Sequence, residues 1–266
     1  MLRRLLVVLL TGALACLVAL APGPVGASTP VLDPDPPGAN DWSCRPSAQR
    51  PVPVVLVHGT FGDRSYGWER MSTALTDAGW CVWSLEYGQQ GTQDVTLSAV
   101  ELRAYVRRVL RATGAAKVSL VGHSQGGLLA RYYVARLGGA RVVDDVVSLA
   151  ATHHGSTFPL VGSGVSCPAC RQQAAGSTFL RDLNAGDETP GRVSWTQVTT
   201  RYDEVVLPHT SGLLAPGPRT TNVTVQDLCA GDLSEHLLLP SSDVAIGVAL
   251  DALGRRGPAR LAGLGC

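Results

Sequence analysis

A serine between two glycines, Gly122-His123-Ser124-Gln125-Gly126, stands where the chain passes from a β-rich apolar run to a helical one. Val118 to Val121 reads as a short buried strand, and Leu128 to Tyr133 reads as helix. A strand–turn–helix this tight holds its central residue at a strained backbone angle, and the glycines let neighbouring backbones come close. Ser124 is then expected at the carboxyl end of a strand, above a helix N-terminus whose free N–H groups favour an anion. A serine so placed can attack a carbonyl, given three helpers. It needs a histidine to take its proton, a carboxylate to orient that histidine, and two N–H donors for the oxyanion.

The chain has six histidines. In the α/β-hydrolase arrangement, which a glycine-flanked serine between strand and helix suggests, the acid follows the serine and the histidine follows the acid. His236, after the last expected strand and before the last helix, is the expected base. His209 precedes that strand and is expected on the surface or a pocket wall. Asp203, at the end of the penultimate strand, is the expected acid, with adjacent Glu204 pointing elsewhere. Asp227 and Asp232 are rivals if the last strand is misread. Asp144 and Asp145 are expected before their strand, at the wrong end of the sheet. His153 and His154 break the order but end a strand, so they are expected to line the pocket with His58, Phe61 and His123. For the oxyanion, one donor is expected from the amide of Gln125. The other is expected from Thr60, with Phe61 as the alternative, and the Thr60 hydroxyl can add a third bond. His58 is expected to support this loop.

These residues need a scaffold that gathers strand ends. Apolar runs at Val52–Val57, Cys81–Leu85, Val118–Val121, Val146–Leu149, Trp195–Thr200 and Asn222–Gln226 read as six strands. Helical patterns cover Trp68–Ala78, Val95–Thr113, the stretch after Ser124, and Ser242–Leu253. In Val95–Thr113, Ala99, Leu102, Val106, Val109 and Leu110 share one face and four arginines the other, which reads as a solvated face. Strands alternating with helices predict an α/β fold, a mostly parallel sheet covered on both sides, with reactive groups at the carboxyl ends of the strands. Gly88–Asp94 reads as a polar loop. Ser156–Arg192 is a long insert of weak periodicity, a candidate lid or pocket wall. Residues 51–266 are expected to form a single domain and a monomer.

Residues 1–27, a basic start, an apolar run and a Val25-Gly26-Ala27 cleavage site, read as a secretory signal peptide rather than an anchor. Residues 28–50 read as an extended lead-in. Export favours disulfides among the six cysteines left after cleavage. Six cysteines allow fifteen pairings; Cys44–Cys81, Cys167–Cys170 and Cys229–Cys266 are expected. A zinc reading of Cys167-Pro168-Ala169-Cys170 lacks a second pair at ligand spacing. Net charge is +1 with no basic run, which argues against nucleic acid.

Taken together, Val54 to Gly62 (VVLVHGTFG), Gly122 to Gly127 (GHSQGG), Tyr202 to Val206 (YDEVV) and Glu235-His236-Leu237 resemble the secreted bacterial class 2 triacylglycerol lipases. The resemblance runs from about Pro51 to Leu250. It implies a small α/β-hydrolase fold, with Ser124 as nucleophile, Asp203 as acid, His236 as base, and Thr60 and Gln125 as the oxyanion hole. It further implies hydrolysis of carboxylic esters, often acylglycerols met at a lipid–water interface, with no cofactor or metal. A short-chain esterase, a polyester hydrolase, or an inactive secreted binding module of the same fold are the alternatives.

Overall fold

The computed structural model describes residues 35–158 and 167–266. The expected signal peptide and the start of the lead-in lie outside the described residues. Among the described residues six strands form one sheet: β1 (Val54–Val57), β2 (Val82–Leu85), β3 (Val118–His123), β4 (Val143–Leu149), β5 (Ser194–Thr199) and β6 (Thr220–Thr224). The order is β2-β1-β3-β4-β5-β6, and every pairing is parallel. The helices are α1 (Glu69–Asp77), α2 (Val95–Thr113), α3 (Gln125–Arg136), α4 (Pro168–Gln172), α5 (Thr178–Asn184) and α6 (Asp243–Leu253), with a few single helical turns between them.

Strand side chains alternate between two cores, as a period of two requires. Val55, Val57, Trp83, Leu120, Val146 and Trp195 pack with α2 and α3. Val54, Leu56, Val82, Val121, Val147 and Val198 pack with α1 and α6. Helix α2 buries Ala99, Leu102, Val106 and Val109 and ends at Gly114, whose φ of 71° suits a residue without Cβ. Ser242 caps α6 by accepting from the Ala245 N–H at 3.1 Å, and its hydroxyl donates to Asp232 at 2.5 Å. Ser242→Ala is expected to lower stability by about 1 kcal/mol in urea unfolding; an unchanged midpoint would show that the cap contributes nothing.

The lead-in runs beside the edge strand β2. The Asn40 N–H donates to the Val82 carbonyl at 3.0 Å, and Cys44–Cys81 locks the contact. Cys229–Cys266 ties down the C-terminal tail. The expected Cys167–Cys170 bridge is not formed; both are free, buried thiols. The Cys167 sulfur is used as the cap of α4, accepting from the Cys170 N–H at 3.1 Å, and it donates to the Thr92 carbonyl at 3.2 Å. Burial pushes the Cys170 thiol up to about 12, so it stays a neutral packing group.

Three local expectations also change. Strand β4 begins three residues early, so Asp144 and Asp145 lie inside it, though still at its amino end. Strand β6 begins at Thr220 because its β-branched residues there are polar threonines, which apolar patterning passes over. Within Gly88–Asp94, Gly88–Gly91 forms a compact turn with Gln89 and Gln90 at φ 51° and 58°.

Candidate active site

The carboxyl ends of β1, β3, β4 and β5 open onto one apolar cavity of about 310 Å³. Ser124 sits at its floor, between β3 and α3, with φ 54° and ψ −122°. The glycines account for that angle. A Cβ on Gly126 would lie 2.0 Å from the Val57 carbonyl oxygen, and one on Gly122 2.5 Å from the Gly126 carbonyl carbon. No side chain fits at either position. The Ser124 N–H is held by the Leu149 carbonyl at 2.8 Å, so the neighbouring strand braces the strained residue.

His236 Nε2 lies 3.1 Å from the Ser124 hydroxyl. Its Nδ1 lies 3.0 Å from each carboxylate oxygen of Asp203. A carboxylate only accepts, so Nδ1 carries the proton and Nε2 is left as the acceptor for the serine O–H. Asp203 follows β5 in a tight turn and is 5 % exposed. Its Oδ1 accepts the Val205 and Val206 N–H groups at 3.0 and 2.7 Å, which aims the carboxylate. The loop carrying His236 is pinned by Gln226, whose amide donates to the Asp232 carbonyl at 2.9 Å. It is pinned again by Thr200, which donates to the Ser234 carbonyl at 2.6 Å. Glu204 accepts the His236 N–H at 3.4 Å. The rival carboxylates have other partners. Asp227 pairs with Arg201, and Asp232 takes the hydroxyl of Ser242.

His123 lines the cavity, and its Nε2 donates to the His236 carbonyl at 2.9 Å. Burial and the neighbouring His236 ring lower its pKa to about 3, so it remains neutral and keeps this one tautomer. It holds the His236 loop in place. Phe61 also lines the cavity, at its exposed mouth.

His58, His153 and His154 do not reach the cavity. His58 is buried, stacked on Tyr87 with centroids 4.2 Å apart, and its Nδ1 donates to the Gly59 carbonyl at 2.8 Å, the loop-supporting place expected of it. His153 turns away beneath β5, with Nε2 2.8 Å from the Gln197 amide oxygen. Burial lowers its pKa to about 3. His154 faces outward to Glu188 at 2.9 Å. That contact raises the histidine and, with burial opposing, holds the carboxyl down at about 2. Both follow β4, but the chain has already turned off the strand axis at Ala150, φ 48°. His209 is half-buried in a helical turn, His209–Gly212.

On the oxyanion side, the Phe61 N–H donates to the Gln90 carbonyl at 2.7 Å. That removes Phe61 as the alternative donor. Gln125 is the first residue of α3, where an N–H has no intrahelical acceptor. The loop bearing Thr60 is shaped by the Gly88–Gly91 turn: a Cβ on Gly91 would lie 3.0 Å from the Gly59 carbonyl oxygen. Tyr87 adds a hydrogen bond from its hydroxyl to the His58 carbonyl at 2.7 Å.

Sequence reasoning missed Tyr66, Thr152, Phe158, Cys170, Gln173 and Leu237 as cavity residues. Most carry no motif, so pattern alone offered no signal for them. Leu237 could have been found from its place beside His236.

A model of the class 2 lipase family matches residues 51–228. The triacylglycerol lipase of Pseudarthrobacter phenanthrenivorans is 38% identical over 112 residues, covering 40% of this chain and 34% of that protein. The triacylglycerol lipase of Vibrio cholerae is 34% identical over 148 residues, covering 52% and 46%. The chain thus spans less than half the length of the curated relatives it matches. Among solved structures, Aspergillus fumigatus lipase B superposes with a TM-score of 0.75 at 22% identity, over 86% of this chain and 58% of that one. Bacillus licheniformis lipase BlEst2 in mature form gives 0.61 at 17%, over 79% and 94%. At such identities the likeness concerns the fold, which is that of the α/β-hydrolases. With the family match covering the sheet from β1 through β6, the chain belongs to the class 2 lipases.

Proposed function

We propose that this protein hydrolyses carboxylic esters, acylglycerols foremost, through an acyl-enzyme on Ser124. The hydrogen-bonded series Ser124–His236–Asp203 on the floor of an apolar cavity carries the reading. Ser124 attacks the ester carbonyl while His236 Nε2 takes its proton, and Asp203 stabilises the resulting imidazolium. The oxyanion is received by the amides of Thr60 and Gln125. His236 then protonates the leaving alcohol, activates water, and the acid is released.

The cavity mouth favours a lipid-like substrate. Phe61, Tyr66, Leu237 and Leu238 are 61 %, 52 %, 45 % and 58 % exposed there and beside it. The two disulfides, and a signal peptide read from residues 1–27, support export. Among the described residues no helix is long and apolar enough to cross a membrane.

A fluorophosphonate probe is expected to label the purified chain at Ser124, and nitrophenyl octanoate and palmitate to be turned over. Cleavage of butyrate alone would make it a short-chain esterase. Turnover of a polyester film but not of emulsified triglyceride would favour a polyester hydrolase. A folded chain that takes no probe and cleaves no ester would be a binding module.

A further inference from the structure

The insert after β4 reaches the expected oxyanion donors through one side chain. Gln173, which follows α4, is 3 % exposed and lines the cavity. Its Nε2 donates toward the Thr60 hydroxyl at 3.0 Å, the Gln125 amide oxygen at 3.1 Å and the Ala169 carbonyl at 3.2 Å. Its Oε1 accepts the Thr152 hydroxyl at 2.9 Å. The carbonyl of Ala169, which only accepts, fixes which end of the amide is nitrogen. The Thr60 hydroxyl itself donates to the Gln125 Oε1 at 2.5 Å.

Two N–H groups of Gln173 serve three acceptors, so at least one is shared. The Thr60 hydroxyl has one hydrogen, and in the resting site it is committed to Gln125. If that O–H turns to a developing oxyanion, the buried Gln125 Oε1 loses a donor. The Gln173 Nε2, which already donates to that oxygen at 3.1 Å, then keeps it satisfied. Without Gln173, the turn leaves a buried acceptor unsatisfied, which is unfavourable.

Resting on the ester-hydrolase reading, we propose that Gln173 is a positioning residue of the oxyanion site. It frees the Thr60 hydroxyl to donate to the oxyanion by keeping a donor on the buried Gln125 Oε1. The role belongs to the transition state, so it acts on kcat rather than on ground-state binding.

The test uses the full mature chain and nitrophenyl octanoate. Gln173→Met keeps length and removes both hydrogen-bonding ends. Gln173→Glu keeps an acceptor for Thr152 and removes the donor. Each is expected to lower kcat by about tenfold to a hundredfold, with KM within about twofold. In a Thr60→Val background, Gln173→Met is expected to lower kcat by less than about twofold more, because the hydroxyl it serves is gone. Wild-type kcat in Gln173→Met or Gln173→Glu overturns the proposal, as does a loss confined to KM or a full additive loss in the Thr60→Val background. Melting of both variants more than about 5 °C below wild type makes Gln173 structural and equally overturns it. An inert wild-type chain is a different failure, because it removes the ester-hydrolase reading itself.

Discussion

Ser124→Ala is expected to lower kcat/KM for nitrophenyl octanoate by about 10⁴- to 10⁶-fold, with no loss of thermal stability. The serine Oγ is the only atom removed. Alanine keeps the Cβ, so the strain at φ 54° is the same in both proteins. The Ser124 N–H to the Leu149 carbonyl, which braces the turn, is a backbone bond and survives. His236 keeps Asp203, so no buried charge is stranded. His236→Ala should show a comparable loss, and the double variant little more than either, because the two act as one unit. Ser124→Ala retaining a tenth of wild-type turnover would mean that the nucleophile lies elsewhere.

The second large effect lies at the other end of the sheet. Asp145→Asn is expected to raise stability by about 2–4 kcal/mol at pH 8 and by almost nothing near pH 4. Asp145 is 4 % exposed, and burial pushes its carboxyl from 3.8 up to about 7, with the charge of Asp144 adding to the push. Ser119 donates to it at 3.0 Å and Ser194 opposes the shift as well. Lys117 is the nearby cation, but it is engaged with Asp144 at 2.7 Å.

Between about pH 4 and 7 the folded chain holds a proton on Asp145 that the unfolded chain has released. Stability from this group is therefore full below the unfolded pKa and is lost as pH rises through about 7. A shift of about three units, at about 1.4 kcal/mol each, sets the upper bound of about 4 kcal/mol. Urea unfolding of wild type and variant at pH 5 and pH 8 measures it. A stability gap that does not widen between those pH values would show that Asp145 is ionised in the fold.

Much of this protein was legible in its residues because the relevant forces act over short sequence distances. The apolar run into Gly122-His123-Ser124-Gln125-Gly126 specifies strand, turn and helix without help from the rest of the chain. Alternation of such runs with helical patterns yields a parallel sheet, whose carboxyl ends are the place where segments bearing Asp203 and His236 can meet Ser124. Cys44 with Cys81 and Cys229 with Cys266 join each terminal segment to the core, so their pairing was open to simple reasoning.

Only the tertiary structure decided which polar side chains share a hydrogen bond across those segments. Gln173 and Thr60 are 113 residues apart, and no local pattern relates them. His153 and His154 carry the same chemistry as His123, yet the turn at Ala150 sends them away from the cavity while His123 points into it. Phe61 was removed as an oxyanion donor by the Gln90 carbonyl, on a turn that composition alone reads as a loop. Cys167 and Cys170 have a spacing that permits a bridge, but the Cys167 sulfur instead caps a helix and binds Thr92. For the histidines the reason is the direction of the chain after Ala150; for the other three it is that hydrogen bonds are short-ranged and directional, so orientation in the assembled fold chooses among partners that sequence makes equally available.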